Sequence, residues 1–155
     1  MSTQVELAVQ AVVAALAARA ANPDGALPPP TRGEVVKVAG DGGGRFLNVI
    51  EGNPVPLGKE AGTGPAQEFN QAILIEWVVE QAAAGPRDAE FDAGMAAIAE
   101  ALGMPPGGDR TLGGAVDNLR LTRVTRIGLA TDGYPSVKAA EIEIQIPITA
   151  DSLIG

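Results

Sequence analysis

The sequence predicts an α+β fold, with a mainly antiparallel sheet of about four to five strands packed against two helices plus a short helical turn. In residues 142–148 every second residue is isoleucine, which places these side chains on one face of a strand. Residues 3–20 and 87–102 repeat apolar residues at the spacing of one helical face. Because an isoleucine face needs a second layer to cover it, we expect the helices to pack on the sheet.

The composition excludes several kinds of chemistry. The chain has 155 residues, which fits a single domain over 1–155, and it contains neither cysteine nor histidine. This excludes disulfides, thiol catalysis and histidine-based acid–base catalysis, and we expect no cofactor and no metal. A formal net charge of −8 opposes tight binding to DNA but does not prevent DNA from passing nearby. No apolar run is long enough to suggest a membrane span.

Both predicted helices have recognisable ends. Thr3 and Glu6 have the spacing of a capping box at the start of the first helix. Pro86 fits the first turn of the second helix, and Gly103 supplies a left-handed stop after it. The second helix also carries three carboxylates, Asp88, Asp92 and Glu100. These could bind a metal ion, but their spacing favours the solvated face of an amphipathic helix.

Five segments have the composition of strands: 35–38, 46–51, 68–80, 119–127 and 138–148. Gln71 interrupts the apolar face of the third segment, whose other members are Phe69, Ile73, Ile75, Trp77 and Val79. A glycine-rich turn over 40–45 fits a hairpin loop. A phosphate-binding loop is disfavoured there, because no Lys-Ser or Lys-Thr ends the glycine run.

Residues 52–66 form the longest stretch without periodicity, and we predict a mobile loop there. One interpretation is a surface loop without a partner. The other is an arm that becomes ordered when another subunit docks. In that case Val55 and Leu57 would supply the apolar contacts, with Lys59 and Glu60 beside them.

The strand predicted over 119–127 is unusual because it is only half apolar. Strict alternation places Leu119, Leu121 and Ile127 on the face that also holds Arg123, and it places Arg120, Val124 and Arg126 on the other face. One interpretation is a solvated face that forms cross-strand pairs with Glu141 and Glu143. The other is a basic stripe that meets an acidic neighbour in an assembly. Arg120, Arg123 and Arg126 are therefore candidate interface residues.

No catalytic arrangement is evident in the sequence. Glu141 and Glu143 could act as a carboxylate pair in glycosidic cleavage, but two residues apart on a strand they share the solvent face. No segment of the sequence predicts a pocket around them. We therefore expect that the protein is not an enzyme.

Taken together, the chain resembles the tail-terminator (tail-completion) proteins of long-tailed bacteriophages. Three features carry the resemblance: the Ala/Val-rich helix 3–20, the long strand 68–79 followed by a helix, and the ending from Asp109 onward. That ending runs through Leu112-Gly-Gly-Ala-Val116 into the arginine-bearing strand, a Gly-Tyr turn and the alternating last strand.

The resemblance implies a structural virion protein at the junction of tail and neck, present in the host cytoplasm during assembly. Such proteins form a hexameric ring that caps the tail tube, ends tube polymerisation and contacts the head–tail connector. The implied partners are copies of itself, the tail-tube protein and the connector, with DNA passing through the lumen. Two alternatives remain: another neck, head–tail completion or tube protein, or a small ligand-binding or enzymatic domain.

Overall fold

The computed structural model describes residues 3–33, 44–56, 67–81, 83–129 and 137–150. In chain order the elements are α1 (Gln4–Ala20), β1 (Thr31–Arg32), β2 (Arg45–Pro56), β3 (Gln67–Glu80), α2 (Ala84–Ala101), β4 (Arg120–Leu129) and β5 (Val137–Ala150). The strands form one sheet in the order β1-β2-β3-β5-β4. The pair β1–β2 is parallel, and the other three pairs are antiparallel. The predicted fold class is confirmed.

The core lies between the two helices and the inward side chains of β3 and β5. Ile73 pairs with Ile144, and Ile75 pairs with Ile142, and all four side chains are buried. The predicted period of two is therefore confirmed in both strands. Further buried side chains from this face are Leu47, Val49, Phe69, Trp77, Val79, Ile146 and Ile148. We call this face of the sheet the helix side and the opposite face the open face.

The polar interruption at Gln71 has a structural explanation. Its buried side-chain amide donates to the carbonyl oxygens of Gly52, at 2.6 Å, and Ala72, at 2.9 Å. Gly52 lies in a register shift between Glu51 and Pro54, and a Cβ at this glycine would lie 2.9 Å from the Ala72 oxygen. Gly52 has no paired residue on β3 because of this shift, and the Gln71 side chain supplies the hydrogen-bond donor for its carbonyl.

Helix α1 begins at the predicted N-cap, but only half of the predicted capping box forms. The Thr3 hydroxyl accepts a hydrogen bond from the Glu6 backbone N–H at 3.0 Å. The Glu6 carboxylate binds Gln10 and both terminal nitrogens of Arg32 instead, the latter at 2.7 and 2.6 Å. This contact ties the first turn of α1 to β1 at the edge of the sheet. The predicted apolar face is confirmed, with Val9, Val12 and Leu16 buried.

Helix α2 begins three residues earlier than predicted. The N–H of Arg87 donates to the Ala83 carbonyl at 3.0 Å, so the segment before it is already helical. Pro86 lies in the first turn, where its missing N–H would have no helical partner. The predicted stop is confirmed, because Gly103 has φ +71°. The predicted solvated face is confirmed as well, with Asp88, Asp92 and Glu100 exposed.

The tightest contact between helix and sheet is that of α2 with Trp77. This side chain is fully buried, and its indole N–H donates to the Phe91 carbonyl at 3.1 Å. A Cβ built on Gly94 would lie 2.2 Å from the indole ring, so the helix approaches as closely as glycine allows. Lys138 on β5 lies 4.7 Å from the centre of the Phe91 ring and bonds Asp88 at 3.2 Å. These contacts hold α2 on β3 and β5.

The prediction of a loop over 52–66 is wrong for residues 52–56, which continue β2 after the register shift. After the register shift, β2 pairs with β3 again. The sequence of this segment has no strand-like alternation, so the pairing could not be predicted from it. Residues 57–66 lie outside the described residues. The predicted strand 35–38 and residues 40–43 of the predicted glycine-rich turn lie outside them as well. Residues 110–115, between α2 and β4, form hydrogen-bonded turns.

We predict that Gly94→Ala destabilises the fold by about 1–3 kcal/mol, because the added methyl group overlaps the Trp77 ring. Urea denaturation monitored by Trp77 fluorescence measures this change. Gly85→Ala is the matched control, since a Cβ there has open space and alanine favours the helix. Equal stability of the Gly94→Ala protein and the wild type would contradict this packing.

We also predict that the Glu6 carboxyl titrates far below its ordinary range. Hydrogen bonds from Arg32, and then from Gln10, lower the pKa of Glu6 from 4.5 to about 2. Because the folded-state pKa is depressed, this contact stabilises the fold fully above pH 4.5, and the contribution is lost as the pH falls toward 2.

Carboxyl NMR titration checks this pKa prediction. Arg32→Gln should return the Glu6 midpoint toward 4.5, whereas the control Arg110→Gln should leave it unchanged. A wild-type midpoint near 4.5 would show that the contact does not form in solution.

Candidate assembly interface

The two faces of the sheet differ in their covering. The core cluster contains residues of both helices and of the helix side, such as Trp77 and Ile144. On the open face the pairs Phe46–Val78 and Ile50–Leu74 lie outside that cluster. No helix of the described residues packs on this face. Asn48 and Val78 on the open face are nevertheless buried, so the exposed surfaces that we consider for partners are the edges of the sheet.

Strand β4 forms one edge of the sheet and contains a bulge. Leu121 pairs with Ile144 and Arg123 pairs with Glu143, so Thr122 is an extra residue in the ladder. The Thr122 hydroxyl lies 3.1 Å from the Glu143 carbonyl oxygen and 2.6 Å from its carboxylate. The side chain at the bulge thus has partners on the neighbouring strand.

The predicted alternation along β4 is wrong because of this bulge. Leu121, Val124 and Arg126 pair with inward residues of β5 and therefore lie on the helix side. Arg120 and Arg123 pair with Gln145 and Glu143 and lie on the open face. The three arginines do not form a stripe on a single face, and the two apolar residues lie together. The extra residue exchanges the faces for everything after Thr122.

The helix side of β4 is apolar but uncovered. Leu121 is 47% exposed and Val124 is 39% exposed. Leu7 is 50% exposed and lines a nearby groove together with Ile146. Ile146 lies two positions along β5 from Ile144, which is the partner of Leu121. Of the four large apolar side chains that are exposed in the described residues, three therefore lie toward this edge. Exposed apolar residues that cluster are typical of a contact surface.

The arginines of β4 differ in their partners. Arg123 lies 3.6 Å from the Glu143 carboxylate and 3.9 Å from that of Glu141, as in the predicted cross-strand pairs. Arg120 and Arg126 have no carboxylate within 4.0 Å among the described residues. Both side chains are exposed. In a chain of net charge −8, these two free guanidinium groups make this edge locally basic.

The predicted interface residue Val55 lies at the opposite edge of the sheet. It pairs with Asn70 near the end of β2 and is 38% exposed. Three strand spacings, about 14 Å, separate β2 from β4. Strand β1 pairs with β2 at positions 48 and 49, and among the described residues no strand pairs with the outer side of residues 50–56. The structure therefore does not bring Val55 and the arginines together. Leu57, Lys59 and Glu60 lie outside the described residues.

The segment that leads into β4 is a turn held by Asp109. Its carboxylate accepts hydrogen bonds from the backbone N–H groups of Thr111 and Gly113, both at 2.8 Å. Bonds from Thr111, including that of its hydroxyl, lower the pKa of Asp109. Leu112, Gly113 and Gly114 all have positive φ angles, and glycine adopts this conformation without strain. This turn fixes where β4 begins.

A groove and a carboxylate pair among the described residues bear on enzyme or metal chemistry. A groove of about 600 Å³ lies between the alanine face of α1 and residues 100–115, and it is lined mainly by small side chains. Glu141 and Glu143 lie elsewhere, on the open face, where Arg123 approaches both. Within the described part of the chain, no three Asp or Glu side chains lie close enough together to hold a metal ion.

Comparison with known proteins adds no assignment. No protein-family model matches the chain, and no curated protein matches its sequence. Among the described residues, no helix is long and apolar enough to cross a membrane.

We predict that Thr122→Val lowers the free energy of unfolding by about 1 kcal/mol, because the bulge loses its hydroxyl contacts with Glu143. Thr125→Val is the matched control, since Thr125 lies on the same strand in a regular pair with Glu141. Chemical denaturation of both variants measures the difference. Equal stability of the two variants would show that the bulge does not depend on this hydroxyl.

Proposed function

We propose that this protein is a ring-forming structural component of a phage tail, of the tail-terminator type. In this function, copies of the chain close into a hexameric ring on the finished tail tube. The ring ends tube polymerisation and presents a surface to the head–tail connector. The protein acts at the junction of tail and neck without catalysing a reaction.

The observation that supports this proposal best is that, within the described part of the chain, the sheet has two different exposed edges on opposite sides. The β4 edge is basic and carries Leu121 and Val124, whereas the β2 edge carries Val55 and Glu51. A closed ring needs two unlike surfaces on each subunit, because each copy contacts the next head to tail. Opposite edges of one sheet have the placement that such contacts need.

A symmetric dimer through β4 is disfavoured by charge. Two-fold pairing of β4 with β4 would place Arg120, Arg123 and Arg126 of both copies side by side. Like charges in neighbouring strands repel each other, and among the described residues Arg120 and Arg126 have no carboxylate within 4.0 Å to offset this. The β4 edge therefore fits a different, less basic surface better than it fits itself.

The charge of the open face suits a channel for DNA. Glu76 on β3 pairs directly with Glu141 on β5, and Glu143 is two residues further along the same face. With this face toward the lumen, a row of carboxylates would repel the phosphate backbone and let DNA slide past. Arg123 offsets part of this charge near the β4 edge.

Native mass measured over a concentration series, alone and with the tail-tube protein of the same genome, tests this function. We expect a hexamer, formed either in isolation or on the end of the tube, together with shorter tubes when the protein is added during polymerisation. A ring that leaves tube length unchanged would instead indicate another neck or head–tail completion protein. A strict monomer at high concentration with and without tube would contradict the proposal.

A further inference from the structure

We propose that the ring closes through two matched rows of side chains on the helix side of the sheet. One row is Leu121, Val124 and Arg126, which we call the β4 row. The other is Glu51, Pro54 and Pro56, which we call the β2 row. The β2 row of one copy packs against the β4 row of the next, with Glu51 on Arg126 and the prolines on Val124 and Leu121. This inference rests on the proposed ring and specifies its contact.

The two rows have the same spacing because both edge strands contain an irregularity. In the β4 row, Leu121, Val124 and Arg126 pair with Ile144, Ile142 and Ala140, which are successive inward residues of β5. In the β2 row, Glu51, Pro54 and Pro56 pair with Ile73, Gln71 and Phe69, which are successive inward residues of β3. Each row thus presents three side chains at steps of about 7 Å.

The order of chemical types also matches. Proceeding toward the end of the sheet that holds Pro56, the β2 row reads acidic, apolar, apolar. In the same direction the β4 row reads basic, apolar, apolar, from Arg126 to Leu121. Glu51 lies level with Ile144 and Leu121 within one copy, whereas Arg126 lies level with Ala140, so the match needs an offset of four residue pairs, about 14 Å, between neighbours. Strands that are tilted to the ring axis produce such an offset.

Both rows are accessible, and their charges are available for a partner. All three members of the β2 row are exposed, as are the three members of the β4 row. Arg126 has no carboxylate within 4.0 Å among the described residues. Glu51 acts electrostatically on Arg32, whose guanidinium is bound by both Glu6 carboxylate oxygens. A second copy would supply an opposite charge for Arg126 and an additional one for Glu51.

Charge reversal of the two row ends, made as Arg126→Glu and Glu51→Arg, tests this contact. Each variant alone places like charges in contact, so the concentration at which half of the protein is assembled should rise about tenfold or more. Arg110→Glu is the control, since this arginine is exposed and belongs to neither row. Sedimentation velocity measures assembly, and circular dichroism with thermal melting verifies that each variant folds.

The decisive measurement is a mixture of Arg126→Glu and Glu51→Arg in equal amounts. An alternating ring then contains an opposite pair at every contact, so assembly should return to the wild-type concentration range. A variant that is merely misfolded cannot be rescued in this way. The double variant in one chain should assemble alone, because it also carries an opposite pair at every contact.

Three outcomes overturn the inference. If the wild type forms a ring but neither reversal weakens it, or if both weaken it and the mixture gives no rescue, these rows do not meet, although the proposed function stands. If the wild type remains a monomer both alone and with the tail-tube protein, the contact and the proposed function fail together.

Discussion

The packing of α2 on Trp77 is the contact on which the rest of the fold depends. Because Gly94 lets the helix reach the indole ring and the Phe91 carbonyl accepts its N–H, α2 is fixed on the centre of the sheet. Arg19 of α1 binds Glu100 of α2 at 2.9 Å, so the position of one helix is coupled to that of the other. Both helices therefore share one side of the sheet, and side chains at its edges, such as Val55 and Leu121, stay exposed.

The parts of the fold that could be predicted from the sequence are those with an undisturbed period. The alternation in β5 and β3 and the apolar face of α1 gave the correct elements, because a buried face repeats at a fixed spacing. The predicted start of α2 is too late, because residues 84–86 are Ala, Gly and Pro and add no large apolar side chain to the periodic face of the helix. Local rules were sufficient wherever one side of an element is buried.

The candidate interface was only partly predictable, because both edge strands contain an irregularity. An extra residue such as Thr122 leaves no trace in composition, yet it moves Arg126 and Val124 to the helix side. The shift near Gly52 likewise extends β2 into a segment that had been predicted as loop. The candidate residues Val55, Arg120, Arg123 and Arg126 do lie at sheet edges, but their facing depends on pairings that only three-dimensional structure shows.

The prolines at the end of β2 have a consequence for uncontrolled growth. Pro54 and Pro56 have no N–H, so two of the last three residues of β2 offer no donor to an incoming strand. Backbone pairing between copies at this end of β2, the kind of pairing by which fibrils grow, therefore lacks two donors. The two prolines thereby make amyloid-like growth at this edge less favourable, while side-chain contacts between copies remain available.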